Sequence, residues 1–188
     1  MVSTIHKPAA KKRLSSTPQS LEEWLENPPK GTEWIQGRLV EKKGMTLIHS
    51  KVQGNLYYYW RRYVEQQALG GQVYTEPPCK TVGTQGRKPD VAYLTPTLLA
   101  KHGDAASLPQ SFPLSAEIVS PTDLALAVFA KADEYLASGG EEVWLIFPGS
   151  NLVIVMTASS RQIFGSGETI RSQSILPGFS ISVDDLFA

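Results

Sequence analysis

The sequence predicts a mixed α/β domain (α+β in character), a mixed β-sheet flanked by helices. Three observations carry this reading. Residues 114–119, 123–138 and 143–147 read as strand, helix and strand, a βαβ unit that would join parallel strands by a right-handed crossover. Ile48, Val52, Leu56, Tyr59 and Tyr63 recur every three or four residues, the period of an amphipathic helix. Beyond Val143 the pattern turns fully β.

Taken in order, residues 1–20 are rich in Ser, Thr, Pro and Lys and read as an unstructured basic arm, with one domain over 21–188. Ser20 caps a short helix that Pro28-Pro29 stops. Residues 32–35 and 38–41 form a hairpin about Gln36-Gly37. The long helix from Ile48 is ended by Gly70-Gly71. Residues 72–76 are a strand broken by Pro77-Pro78, and residues 79–82 continue it before a glycine-containing loop. Residues 91–94 are the next strand, and residues 96–113 are mostly loop with room for a helical turn. Ser120-Pro121-Thr122-Asp123 is a helix start, and Gly139-Gly140 closes that helix. Residues 143–147 are apolar throughout, as in a strand covered on both faces. Residues 152–156 return antiparallel, short strands follow near 162–164 and 169–171, and residues 183–187 close the chain.

Hydrophobic residues are 41% and charged residues 19% of 188 positions, a balance that supports one substantial core and excludes extensive disorder. The apolar runs are too short to span a membrane and no signal peptide is visible. Cys79 is the only cysteine, which excludes an intramolecular disulfide and a cysteine-based zinc site. A reducing, cytoplasmic setting is expected. Net charge is zero, against a broadly basic nucleic-acid coat. Lys7, Lys11, Lys12 and Arg13 nevertheless give the arm four positive charges and leave the rest net negative by four. The arm reads as a solubilising tail or as a non-specific phosphate contact.

Three charged residues stand where a core prefers apolar ones. Asp90 follows Pro89 at the head of a strand, Glu117 lies inside an apolar strand, and Lys131 interrupts the apolar face formed by Leu124, Val128 and Tyr135, while Asp133 and Glu134 point elsewhere. Burying a charge is costly unless it is paired or binds a metal. Each has a plainer reading: Asp90 begins a strand, Glu117 faces solvent on an edge, Lys131 snorkels to water. Together in this order they suggest a divalent cation and a phosphate.

The order Pro-Asp, then a strand-borne Glu, resembles the PD-(D/E)xK nuclease superfamily. The usual lysine position, two residues after the second acid, holds Val119. Residues 33–41, His49, residues 89–92, residues 117–123, Lys131, Tyr135 and residues 143–148 resemble the Uma family of endonuclease-like proteins, over roughly residues 20–188. That resemblance implies a restriction-endonuclease-like core in which the lysine has migrated to the following helix. It implies Asp90 and Glu117 as metal-binding acids, the Ile118 carbonyl as a further ligand, and Lys131 as the migrated lysine. His49 matches a family histidine, to be read as a base, a phosphate contact or a helix cap. Glu33 matches a family acid, structural or close to the metal. Two departures stand out: Phe147 occupies a place often acidic, and residues 124–128 are unusually apolar.

The expected function is metal-dependent endonuclease cleavage of DNA, with Mg²⁺ or Mn²⁺ held by hard oxygen ligands. One alternative is a catalytically silent member of the fold that binds nucleic acid or assembles with partners. Another is a structural domain whose charges satisfy each other as an ion-pair network. Tyr57, Tyr58, Tyr59 and Trp60 cannot share one helix face, so some are expected outward, for base stacking or, as readily, a homodimer interface.

Overall fold

The computed structural model describes residues 17–42 and 45–188. Lys7, Lys11, Lys12 and Arg13 of the basic arm lie outside the described residues. In chain order the elements are α1 (Leu21–Glu26), β1 (Thr32–Ile35), β2 (Arg38–Glu41), α2 (Leu47–Gln66), β3 (Gln72–Thr75), β4 (Cys79–Lys80), β5 (Gly86–Arg87) and β6 (Val91–Leu94). They continue with α3 (Pro96–His102), β7 (Leu114–Ile118), α4 (Ala125–Leu136), β8 (Glu142–Phe147), β9 (Leu152–Thr157), β10 (Arg161–Phe164), β11 (Thr169–Arg171), β12 (Ser180–Ser182) and α5 (Val183–Phe187).

A six-stranded mixed sheet, ordered β10-β9-β8-β7-β6-β3, forms the centre. Within it β7 and β8 are parallel, joined through α4, and the other neighbours are antiparallel. This is the βαβ unit read from the sequence. A second sheet, β2-β1-β5-β4, is built on the expected hairpin. Gln36 and Gly37 both take positive φ, 50° and 76°, as a two-residue hairpin turn of matching twist requires.

Both faces of the central sheet are covered. Under α2, Val52, Leu56, Trp60 and Val64 pack on Leu114, Ala116, Ile118, Trp144 and Ile146. Under α4, Val128, Ala132 and Tyr135 pack on Val143, Leu145, Ile154 and Met156. Alternate residues of β7 and β8 therefore serve opposite cores, which is why β8 reads as an unbroken apolar run.

Three local expectations are corrected. The buried stripe of α2 is Val52, Leu56, Trp60 and Val64; Ile48 is exposed, and Tyr59 and Tyr63 are half-buried. The shift follows the Trp60 ring, which meets Trp144 edge-on at 5.4 Å, a geometry that contributes about 1 kcal/mol beyond burial. Residues 79–80 do not extend β3: Glu76 takes φ 50°, and Pro77-Pro78 turn the chain into the second sheet. The helical turn expected within residues 96–113 is present as residues 96–102, with Pro96 at its first position. Finally, α4 starts at Ala125, because the Asp123 carboxylate accepts from Ser120 N (2.9 Å) and closes a turn instead. Leu124 therefore precedes the helix and is exposed.

Candidate active site

Asp90 and Glu117 are brought together by strand register. β6 and β7 pair antiparallel with Val91 opposite Ala116, so Asp90, one residue earlier, stands beside Glu117. Asp90 N donates to Ala116 O (3.0 Å), and Ile118 N donates to Asp90 Oδ2 (2.8 Å). The main chain thus fixes one Asp90 oxygen. The other, Oδ1, accepts from Lys42 Nζ at 2.7 Å.

Glu117 alternates onto the α4 side of β7, and the helix meets it with two donors. Lys131 Nζ lies 2.9 Å from Glu117 Oε2, and Tyr135 Oη donates to Glu117 Oε1 at 2.7 Å. Residues 131 and 135 are one helical turn apart and share a face. Lys131 also pairs with Glu33 Oε1 at 2.9 Å. Its ammonium does not snorkel to bulk water.

Helix α2 supplies the opposite wall. Thr46 caps it, accepting from His49 N (3.2 Å), so His49 is not the capping residue. The His49 ring instead faces Asp90, with Nε2 3.5 Å from Oδ2. That nitrogen is buried and has no hydrogen-bond partner among the described residues. One turn later, Gln53 Nε2 donates to the Asp90 carbonyl (2.9 Å).

Several members of this cluster carry no clear signal in the sequence. Lys42 follows an exposed strand and belongs to no period. Glu134, expected to point away, is buried and takes a paired contact from Arg87, Nε to Oε1 (2.9 Å) and Nη2 to Oε2 (2.6 Å). The Thr81 hydroxyl bonds it too. Arg87 Nη1 also donates to Glu33 Oε2 (3.1 Å), so the hairpin sheet is tied to α4. The usable clue was position: Arg87 stands three residues before Asp90, and Glu134 three after Lys131.

Glu33, Lys42, His49, Asp90, Glu117, Ile118 and Lys131 line one cavity of about 370 Å³. A second, of about 570 Å³, runs along α4 and shares Glu117, Ile118, Val119, Asp123 and Lys131 with it. The charged cluster is reached from both.

The electrostatics follow from this packing. Burial alone would raise the Asp90 carboxyl, but neighbouring His49 and Lys42 hold it well below the ordinary carboxylate range. Burial opposes ionisation of Glu33 as well, yet Lys131 and Arg87 bring it down to about 2. For Lys131, burial disfavours the charge, and Glu117, Glu33 and Asp90 outweigh it and raise the ammonium above its ordinary value. Glu117 goes the other way: burial, then Asp90 and Glu33, raise its carboxyl against Lys131 and Lys42. A carboxylate so placed gains most from an added positive charge.

The residues present fit a hard divalent cation. Asp90 and Glu117 line the same space, Asp90 Oδ2 is fixed by a main-chain N–H, and His49 Nε2, which makes no hydrogen bond, lies 3.5 Å from that oxygen. Among the described residues no three His, Cys, Asp or Glu side chains converge as a metal cluster. Two carboxylates and a main-chain carbonyl suit Mg²⁺ or Mn²⁺, with Mg²⁺ in particular usually keeping several waters.

Comparison with known proteins agrees with the fold. A family model described as "Uma2: Putative restriction endonuclease" matches residues 18–184. A solved structure from Anabaena variabilis ATCC 29413, titled as a putative nuclease belonging to DUF820, superposes with a TM-score of 0.77. It is 22% identical and covers 90% of this chain and 98% of its own. No curated protein matches. With the match spanning nearly the whole chain, and with the shared fold, the chain belongs to the Uma2 family of restriction-endonuclease-like proteins.

Proposed function

We propose that this protein is an endonuclease that hydrolyses phosphodiester bonds in DNA with the help of Mg²⁺ or Mn²⁺. The observation that carries the proposal is the convergence of Asp90, Glu117 and Lys131, from three separate elements, on one cavity whose wall holds an unpartnered histidine nitrogen.

Asp90 and Glu117 would hold the cation, with the Ile118 carbonyl beside them. When bound, the cation polarises the phosphoryl oxygen and acidifies a water. Lys131 donates from its ammonium to the phosphate or the attacking water, where negative charge grows in the transition state. Glu33 and Tyr135 keep that lysine and Glu117 in place. His49 Nε2, 3.5 Å from Asp90 Oδ2, would turn from that carboxylate to contact a phosphate oxygen or the water. Asp90, Glu117, Glu33, Glu134 and Glu76 stand against Lys42, Lys131 and Arg87, five carboxylates to three cations. A divalent cation would offset that excess, which otherwise repels a phosphodiester.

A second reading has an observation of its own. Glu117 and Lys131 already satisfy each other, and Asp90 is paired with Lys42, as in a silent member of the fold held by ion pairs. Supercoiled plasmid separates the two. Nicking in Mg²⁺ or Mn²⁺ that stops in EDTA is the expected result. Salt-sensitive binding with no strand cleavage in either metal would favour the silent reading.

A further inference from the structure

Lys42 is the group in this site that the proposed chemistry leaves without a task. It stands just past β2, and its side chain is only 17% exposed. Its ammonium touches Asp90 Oδ1 (2.7 Å) and the Lys88 carbonyl (3.1 Å), with Glu76 Oε1 at 3.8 Å. The two Asp90 oxygens are held very differently. Oδ2 is fixed by a main-chain N–H of β7 that cannot leave without breaking the strand. Oδ1 is held by an ammonium on a four-carbon stem with rotatable bonds, so of the two oxygens it is the one whose partner can swing away and leave it to a cation.

We propose that Lys42 is a removable counter-ion for Asp90, occupying the oxygen that a divalent cation takes and leaving it when the cation binds. The inference rests on the cation-dependent reading above. Without Lys42 the cation-free cavity would hold a buried carboxylate with no ammonium bonded to it, next to the acids Glu117 and Glu33. Two like charges cannot comfortably share such a site, and with only the Ile118 N–H and the His49 ring left beside Oδ2 the buried charge would be under-compensated. With Lys42 the empty site is folded and paired, and a cation enters only by out-competing an ammonium. A displaced Lys42 still has the Lys88 carbonyl and Glu76 within reach, so it need not be expelled into bulk solvent.

The test is calorimetric titration of MnCl₂ into wild type, Lys42→Met and Lys42→Arg near neutral pH, with thermal melts in EDTA and in saturating MnCl₂. Lys42→Met keeps the stem and removes the competitor, so it should bind Mn²⁺ about tenfold more tightly. Lys42→Arg, whose fork grips a carboxylate through two donors, should bind Mn²⁺ more weakly than wild type. In EDTA Lys42→Met should melt below wild type, and saturating Mn²⁺ should close that gap. Equal or weaker Mn²⁺ binding by Lys42→Met, with wild type still binding, overturns the counter-ion role and leaves the cation site standing. Binding by none of the three overturns both. Should Lys42→Met fail to fold, Lys42→Arg decides alone: weaker binding supports the role, and equal or tighter binding overturns it.

Discussion

Glu33 accepts from three donors at once: Lys131, Arg87 and the Lys88 amide. Its folded pKa is about 2 against an ordinary 4.5, so its ionised form stabilises the fold above pH 4.5. That contribution drains as pH falls from 4.5 toward 2. Urea melts across this window should therefore show wild type losing stability and Glu33→Gln showing a flatter acid limb. At neutral pH the variant should be less stable by about 3 kcal/mol, since Lys131 and Arg87 lose a buried partner. Parallel acid limbs would remove Glu33 from its anchoring role. At this scale the sequence was partly legible. Asp90, Glu117 and Lys131 stood out because a charge inside an apolar period is costly wherever it falls. Lys42 and Arg87 did not, because each flanks a short or exposed strand where a charge is ordinary. His49 was visible only through resemblance, and its approach to Asp90 came from the packing of α2.

At the scale of elements, two buried acids fasten the frame. Arg87 and Glu134 join β5 to α4, the helix that carries Lys131. Arg87→Met should cost about 3–5 kcal/mol, because it strands Glu134 in a buried place. Adding Glu134→Leu should recover most of that loss, and a double-mutant cycle by urea denaturation measures the coupling. Glu142, fully buried at the start of β8, accepts from Trp144 Nε1 (2.7 Å), Gln173 N (2.8 Å) and Ser174 N (3.0 Å). It pins the segment between β11 and β12 to the central sheet. Glu142→Ala leaves those donors unpaired, at about 1–3 kcal/mol apiece, and should raise hydrogen exchange at residues 172–176 before the rest of the fold loosens. Unchanged exchange there would contradict the anchor. The β7-α4-β8 unit could be read from sequence because its periods are long enough to register. β4 and β5 are two-residue strands with no period, so the second sheet was visible only as a hairpin.

For the whole molecule, the fold places the acids where β6 and β7 pair and brings in the cations from the hairpin sheet and α4. No helix among the described residues is long and apolar enough to cross a membrane. The charge balance sets a further expectation. The body is net negative and the first twenty residues carry four positive charges, so a contact with DNA phosphate would draw heavily on that arm. Deleting residues 1–16 should flatten the plot of log affinity for plasmid against log salt by about 3 to 4, as the loss of four phosphate contacts requires. An unchanged slope would make the arm a solubilising tail. The claim that joins all three scales is that Lys131 acts on the phosphodiester while Asp90 and Glu117 hold the cation. Its most direct measurement is cleavage of supercoiled plasmid by wild type and Lys131→Met, side by side in Mn²⁺ at concentrations that calorimetry shows to saturate both. Nicking by wild type and none by Lys131→Met, with Mn²⁺ bound to each, is the expected result; equal cleavage by the two would contradict the role assigned to Lys131.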